Sequence, residues 1–311
     1  RLKIATNIKP ETMDRNTLEI TEQPEGLRFT RIRDLVNRTL NQNFGENLTP
    51  DGVSSGFSEL DKTLGGFHKG QIYTIAVKPG MGKTAFLLSL ANNMAIKENY
   101  SVAIFSSERS NIKMTNRLIE SETGMSLSKL QSGELKASER DHILSLLSNI
   151  AKAKIYIDDT PALRVRDFCN KIRSLKQMPA IDLVIVDYLE LLTTDVEDNE
   201  ERPAQLDRIM KQIADVAAEL QLPVLLFSQS AGMQNGKMSL GSSSIDKLPD
   251  FLKENSDALM LLNRNDAYPI AGKEEKKNAV ELIVRKKEDA GKDMVVPLRF
   301  IESIAKFTDF S

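Results

Sequence analysis

Short apolar runs alternate with amphipathic stretches along most of this 311-residue chain. The runs are continuously apolar, which is typical of strands that are covered on both faces of a parallel sheet. Helical periodicity fills the intervals between them, most clearly over residues 206–220. This alternation predicts an α/β domain with a mostly parallel central sheet flanked by helices. The predicted strands are 72–77, 102–105, 155–157, 183–186, 224–227, 258–262, 282–284 and 295–300.

The first 50 residues do not follow this pattern. Residues 1–27 are polar and contain two prolines, which indicates an extended arm. Apolar positions spaced by three and four then predict an amphipathic helix over residues 29–40, followed by a second linker. This helix packs either on its own domain or on a neighbouring subunit. We therefore divide the chain into an N-terminal arm with a linker helix, residues 1–50, and an α/β domain, residues 51–311.

Composition excludes some classes of protein. No apolar run approaches the roughly 18 residues of a membrane helix, and the start at Arg1 has no apolar signal region, so we expect a cytoplasmic protein without membrane contact. The single cysteine, Cys169, excludes an intramolecular disulfide. The net charge of −2 provides no bulk attraction to nucleic acid, so any DNA binding would depend on local basic loops.

A phosphate-binding loop follows the first predicted strand directly, and a helix is predicted to follow the loop at once. Its glycines allow backbone N–H groups to point at phosphate oxygens, and the helix N-terminus adds its positive end. Lys83 would neutralise phosphate charge, and the Thr84 hydroxyl would ligate Mg²⁺. Because Val77 replaces the first glycine of the strict pattern, a glycine turn without a ligand is the alternative. The predicted ATP-binding residues are Pro79, Gly80, Met81, Gly82, Lys83, Thr84 and Ala85.

Three further polar residues follow predicted strands at the same edge of the sheet, where α/β proteins bind ligands. Asp187 ends the fourth strand and would hold Mg²⁺, or else would cap the next helix. Glu108 follows the second strand, where a carboxylate can polarise the attacking water. Gln229 follows the fifth strand and would either sense the γ-phosphate or bond a loop backbone.

In their order, these segments resemble the C-terminal motor domain of DnaB-type replicative DNA helicases, from about Phe29 to the end of the chain. The family's phosphate loop also lacks the first glycine. Residues 104–108 resemble the segment that carries the family's catalytic glutamate, and Ser228-Gln229 resembles its γ-phosphate sensor. Other similar segments are 52–61, 155–160 and 186–189.

The resemblance implies a RecA-like P-loop NTPase core that assembles into a hexameric ring. ATP and Mg²⁺ would lie between subunits, and single-stranded DNA would pass through the central channel. It also implies that the helix over residues 29–40 docks on the next subunit, that Arg264 lies against the nucleotide base, and that a primase or a helicase loader is a partner.

The chain departs from the family at a late hairpin, where a Lys-x-Arg pair usually reaches into the neighbouring ATP site. Lys286 is retained as the catalytic cation, but Glu288 occupies the arginine position. An acidic side chain cannot stabilise a phosphoryl anion. Arg285 could substitute only if the strand slipped by one residue, which would reverse the face of every side chain.

Basic residues that could contact DNA are sparse. The loop after Gln229 contains Lys237 and Lys247, where the family has a more basic segment. Arg202 and Arg208 follow an acidic stretch over residues 195–201. We predict DNA contacts at these four residues, each of which could equally be a solvated surface cation.

Together these features predict an ATP-dependent replicative DNA helicase, or a helicase-like translocase, that couples ATP hydrolysis to movement on single-stranded DNA. Lys83, Glu108, Gln229 and Lys286 are its predicted catalytic residues. One alternative is a nucleotide-binding assembly or loader module with weak hydrolysis, which Glu288 and the weakly basic loops suggest. Another is a RecA-like recombinase, which would share the core and the phosphate loop.

Overall fold

A computed structural model describes residues 52–132, 137–175, 181–194, 201–229, 233–234, 237–238, 244–264, 279–289 and 292–310. These residues belong to one compact unit, Pro50–Ser311. The predicted arm and linker helix lie outside the described residues. Within the described residues, no helix is both long enough and apolar enough to cross a membrane.

The described strands are β1 (Ile72–Val77), β2 (Val102–Ser106), β3 (Ile155–Asp158), β4 (Leu183–Asp187), β5 (Val224–Ser228), β6 (Met233–Gln234), β7 (Lys237–Met238), β8 (Ala258–Arg264), β9 (Ala279–Lys286), β10 (Met294–Ile301) and β11 (Lys306–Asp309). Nine of them form one sheet in the order β11-β10-β9-β8-β1-β5-β4-β2-β3, and β6 pairs with β7 in a separate ribbon. The strands from β3 to β8 in this order run parallel, whereas β9, β10 and β11 add antiparallel strands at one end. The predicted mostly parallel sheet is therefore confirmed.

Helices flank the sheet. They are α1 (Ser58–Leu64), α2 (Lys83–Asn92), which continues as a π-helical turn (Asn93–Lys97), α3 (Asn111–Thr123), α4 (Leu127–Ser132), α5 (Ala137–Lys152), α6 (Val165–Leu175), α7 (Arg202–Leu220) and α8 (Asp250–Asn255), with 3₁₀ turns at Leu189–Leu191, Ile245–Lys247, Lys287–Asp289 and Glu302–Ile304.

Two apolar clusters form the core. The first cluster includes apolar residues of α1, α2 and α3, and the second includes those of α6, α7 and α8. Cys169 is buried in the second cluster, where burial raises the pKa of its thiol.

All eight predicted strands are present, but β9 and β10 are not buried on both faces. Burial alternates along both strands, as expected for antiparallel strands with one face on the core. The sequence analysis also missed β11. This strand has four residues and only one buried apolar position, Phe307, which is too little for a hydrophobic pattern to indicate a strand.

Helix α2 lies in the middle of the core and carries the phosphate loop at its N-terminus. The Phe86 ring packs against Phe57 and Phe307, at centroid distances of 5.5 and 5.3 Å. At the loop itself, Gly82 has a φ of +96°, and a Cβ there would come within 3.2 Å of the Phe307 ring. Both the backbone conformation and the close approach therefore require glycine at this position.

Candidate active site

The phosphate loop presents backbone donors at the N-terminus of α2. A turn is closed by the Met81 N–H, which donates to the Lys78 carbonyl at 3.1 Å, and the helix begins with the bond from Phe86 N–H to Gly82 O at 2.9 Å. The first amides of a helix have no acceptor within it, and no side chain caps this one. Free amides and a positive helix end suit an anion such as phosphate.

Lys83 connects this loop to two carboxylates from neighbouring strands. Its Nζ lies 2.7 Å from Asp187 Oδ1 and also donates to Glu108. The Lys83 side chain is 8% exposed and that of Asp187 is fully buried, whereas that of Glu108 is 29% exposed. Two carboxylates thus share one ammonium group, and phosphate oxygens in the cleft would compete with them for it.

The arrangement is suited to Mg²⁺ when phosphate supplies part of the ligand shell. Asp187 ends β4 beside Ser106 of β2, whose hydroxyl donates to Asp187 Oδ2 at 3.1 Å. Thr84 is buried in the first turn of α2. No cluster of three His, Cys, Asp or Glu residues capable of holding a metal occurs among the described residues. Hard oxygens from Thr84, Asp187, phosphate and water are the ligands that Mg²⁺ prefers.

Tyr188 covers this ion cluster. The Lys83 Nζ lies 3.9 Å from the centroid of its ring, a distance at which a cation is attracted to the aromatic face. Burial raises the pKa of the Tyr188 hydroxyl, and the negative charges of Glu108, Glu190 and Asp187 raise it further. The phenol therefore stays neutral and adds no third negative charge to the site.

Glu190 is a site residue that the sequence analysis missed. Its carboxylate accepts hydrogen bonds from the Ser228 hydroxyl and from the Gln229 N–H, the latter at 3.2 and 3.3 Å to its two oxygens. It therefore fixes the backbone at the end of β5, from which the Gln229 side chain extends. The sequence Leu189-Glu190-Leu191 does not indicate this role, because a single glutamate is common in turns at the protein surface.

The phosphate loop, Glu108 and Gln229 line one cleft of about 660 Å³. Arg264 reaches the same cleft from the end of β8, and its guanidinium lies 4.2 Å from the centroid of the Phe300 ring. Met81 instead packs against the first apolar cluster. Of the predicted nucleotide and catalytic residues, the cleft wall includes Pro79, Gly80, Gly82, Lys83, Thr84, Ala85, Glu108, Gln229 and Arg264, and Asp187 joins it through Lys83.

The family model for the DnaB-like helicase C-terminal domain matches residues 52–309. The chain belongs to this family. It is 31% identical to the replicative DNA helicase DnaB of Geobacillus stearothermophilus, over 95% of this chain and 65% of that protein. It is 29% identical to the replicative DNA helicase DnaC of Bacillus subtilis, with the same coverage. The chain thus spans about two thirds of the length of these relatives.

Two solved structures share the fold of this DnaB-like domain. One is described as an ATPase domain, with a TM-score of 0.75 and 26% identity over 91% of this chain and all of that one. The other is a DnaB-like replicative helicase, described with its interactions with primase, which has a TM-score of 0.73 and 26% identity over 91% of this chain and 68% of that one. The expected RecA-like α/β core is consistent with both.

Lys286 is not in the cleft wall of this DnaB-like domain. It ends β9, with its Nζ 3.3 Å from carboxylate oxygens of both Glu288 and Asp289. Burial lowers the pKa of Lys286, but these two hydrogen bonds outweigh it and leave the pKa raised. Arg285 points to the other face of the strand and is bound to Asp246 and Asp293, each at 2.6 Å.

Three of the four predicted DNA contacts of this DnaB-like domain, Arg202, Arg208 and Lys247, also lie outside the cleft wall. Arg202 donates from its Nη2 to the carbonyls of Glu190 and Leu192, both at 2.8 Å. These bonds connect the first residue of α7 to the turn after β4. Arg208 is half-buried on α7, and Lys247 is exposed in a 3₁₀ turn. The Lys237 side chain lies outside the described residues. DNA contact at these positions stays a prediction.

The pairing of Lys83 with a buried carboxylate can be tested by its effect on the stability of the domain. Replacing Lys83 by Met leaves the buried Asp187 carboxylate unpaired, and we expect the free energy of unfolding to fall by about 3 kcal/mol. Adding Asp187→Asn should recover part of that loss, because the uncompensated charge is removed. Urea unfolding of both variants would measure these changes.

The matched control is Lys211→Met, which breaks an exposed ion pair with Asp207 on α7. We expect the free energy of unfolding to change by no more than about 0.5 kcal/mol in that variant. Equal losses in Lys83→Met and Lys211→Met would contradict the view that Lys83 neutralises a buried carboxylate.

Proposed function

We propose that this chain is the ATP-hydrolysing motor domain of a replicative DNA helicase, which moves along single-stranded DNA. The observation that carries the proposal is that Lys83, at the N-terminus of α2, bonds to both Glu108 and Asp187. Lys83 and Glu108 line the same cleft as the phosphate loop. The relatives named as replicative DNA helicases support the same activity. The family match favours a helicase over a RecA-like recombinase.

In this proposal, the amides of the phosphate loop and the Lys83 ammonium bind the β- and γ-phosphates of ATP. Thr84 and Asp187 would hold Mg²⁺, which neutralises phosphate charge when bound. Glu108 orients the attacking water and accepts its proton. Because Lys83 is bonded to Glu108, phosphate that draws the ammonium away would free the carboxylate to hydrogen-bond the attacking water. Substrate binding would then prepare Glu108 for its role.

Two other cleft residues receive roles in the proposal. The Gln229 side chain senses the γ-phosphate, and the hydrogen bonds from Glu190 hold its backbone in place. Arg264, stacked on Phe300, lies against the nucleotide base. Both residues line the same cleft as the phosphate loop, which supports these assignments.

The motor acts as a cytoplasmic hexameric ring in this proposal, with ATP between subunits and single-stranded DNA in the channel. Lys286 lies outside the cleft wall of its own chain, which supports a role in the neighbouring site. The structural neighbour described with primase makes a primase a candidate partner, and a helicase loader is another. Arg202, Arg208, Lys237 and Lys247 are the candidate DNA contacts.

A second candidate is an assembly or loader module with weak hydrolysis. The observation that favours it is the pair of carboxylates, Glu288 and Asp289, on Lys286. A cation that is neutralised within its own chain stabilises less charge on a neighbour's phosphate. Turnover and its response to DNA therefore separate the two candidates.

The motor predicts ATP hydrolysis that rises several-fold with single-stranded DNA. Lys83→Ala should abolish turnover, because the phosphate charge loses its ammonium partner. Glu108→Gln should retain ATP binding but lower turnover by about 100-fold or more, as expected when a general base is removed. Phosphate release and nucleotide binding would be measured on each variant, with Lys211→Ala as the surface control. Unchanged turnover in Lys83→Ala would refute the proposal, and ring formation without DNA-stimulated turnover would favour the assembly module.

A mixing experiment tests whether Lys286 acts in the neighbouring site. Lys83→Ala and Lys286→Ala chains, each expected to be inactive alone, would be co-expressed with different tags and purified through both. A site between the two chains can then combine an intact Lys83 with an intact Lys286. We expect the mixed particles to hydrolyse ATP faster than either variant. Mixed particles that are no more active than the separate variants would show that Lys286 does not act across the interface.

A further inference from the structure

The turn after β3, Asp158-Asp159-Thr160, lies beside the segment that carries Glu108. The Ser107 hydroxyl donates to the Thr160 carbonyl at 2.9 Å. Four residues further along, the Asn111 N–H at the start of α3 donates to Asp159 Oδ2 at 3.0 Å. The turn therefore contacts the Glu108 segment on both sides of the glutamate, although none of its residues lines the main cleft.

The turn is fixed by a hydrogen bond within it and by two bonds from Lys171. The Thr160 N–H donates to Asp158 Oδ1 at 3.0 Å, and Lys171 of α6 donates to Asp158 Oδ2 and, at 2.7 Å, to the Thr160 hydroxyl. Burial raises the pKa of Asp158, but the bonds from Lys171 and Thr160 outweigh it and keep the pKa below its usual range. Asp158 is therefore ionised at neutral pH and stays bound to Lys171.

The segment that carries Glu108, residues 107–110, is a short connection between β2 and α3 and belongs to neither. Contacts from outside the segment therefore hold it in place. Ser106, the last residue of β2, donates to Asp187, and Glu108 accepts from Lys83. If ATP draws Lys83 away from Glu108, the contact through Lys83 is lost at the moment when the carboxylate has to face the water. The bonds of Ser107 and Asn111 to the turn do not involve Lys83 and so persist.

We propose that Ser107 and Asp159 are positioning residues for Glu108, a role that rests on the proposed ATP hydrolysis. The turn holds the segment on both sides of Glu108, so that its carboxylate keeps its place when Lys83 moves to phosphate. A displacement of about 1 Å in a catalytic group can lower a rate by about 100-fold. The two hydrogen bonds therefore act on turnover, whereas nucleotide affinity depends on the residues that contact the nucleotide, among them the phosphate loop and Arg264.

The test compares Ser107→Ala and Asp159→Ala with the wild-type chain. We expect turnover to fall by about tenfold in each, with the nucleotide dissociation constant within about twofold of wild type. Asp159→Asn keeps an acceptor for the Asn111 N–H and should restore most of the turnover. Ser110→Ala is the matched control, because Ser110 caps the same end of α3 through a bond to the Lys113 N–H. It should leave turnover unchanged.

Combination with Glu108→Gln shows whether the two residues act through Glu108. Positioning predicts that Ser107→Ala and Asp159→Ala cause no further loss once the carboxylate is gone. An additional tenfold loss in the Glu108→Gln background would overturn the inference, as would an equal loss of turnover in Ser110→Ala. If Glu108→Gln itself hydrolyses ATP at the wild-type rate, the proposed role of Glu108 fails, and the positioning role fails with it.

Discussion

One ammonium group between two carboxylates is the interaction on which the site depends. Lys83 comes from the first turn of α2, Asp187 from the end of β4, and Glu108 from the segment after β2. A buried Asp187 without a cation would be costly, so the lysine ties two strands to the phosphate loop. Phosphate can compete with the two carboxylates for that lysine, because its oxygens are also negatively charged and bind at the helix N-terminus.

The order of the strands in the sheet brings Lys83, Asp187 and Glu108 together. Strands β1, β5, β4 and β2 are consecutive neighbours, so their carboxyl ends reach one edge of the sheet. The register of β2 and β4 pairs Ser106 with Asp187 directly. Helix α2 is held in place by aromatic packing around Phe86 and by the bond from the Phe307 N–H to Ser89 Oγ at 2.9 Å. A rigid core thus positions a site whose charged groups can exchange partners.

Much of this arrangement could be predicted from the sequence, since a phosphate loop between a strand and a helix is a local pattern. Asp187, Glu108 and Gln229 could be placed at one edge because parallel strands share that edge. Glu190 could not, because it lies in the 3₁₀ turn after β4 and not at a strand end, and only the fold brings it to Ser228 and Gln229. The β11 strand was missed because only one of its four residues is buried and apolar.

The hairpin at Lys286 shows a different limit. The sequence placed an acid at the position of the expected arginine, but only the fold shows Glu288 and Asp289 bound to Lys286, and Arg285 bound to Asp246 and Asp293. The bond of Arg285 to Asp293 depends on the register of β9 with β10, which pairs Val284 with Met294. The bonds of Lys286 form within the turn that follows β9. Arg285 and Lys286, which are two single cations in the sequence, are thus each paired with acidic residues of the same chain.

The most direct measurement is a crystal structure of this chain with Mg²⁺ and a non-hydrolysable ATP analogue. We expect Lys83 Nζ to lie within hydrogen-bonding distance of a phosphate oxygen, about 3 Å, and Glu108 to have lost its bond to the lysine and to face the γ-phosphate. A triphosphate bound away from the phosphate loop, with Lys83 still bridging Glu108 and Asp187, would refute this exchange of partners.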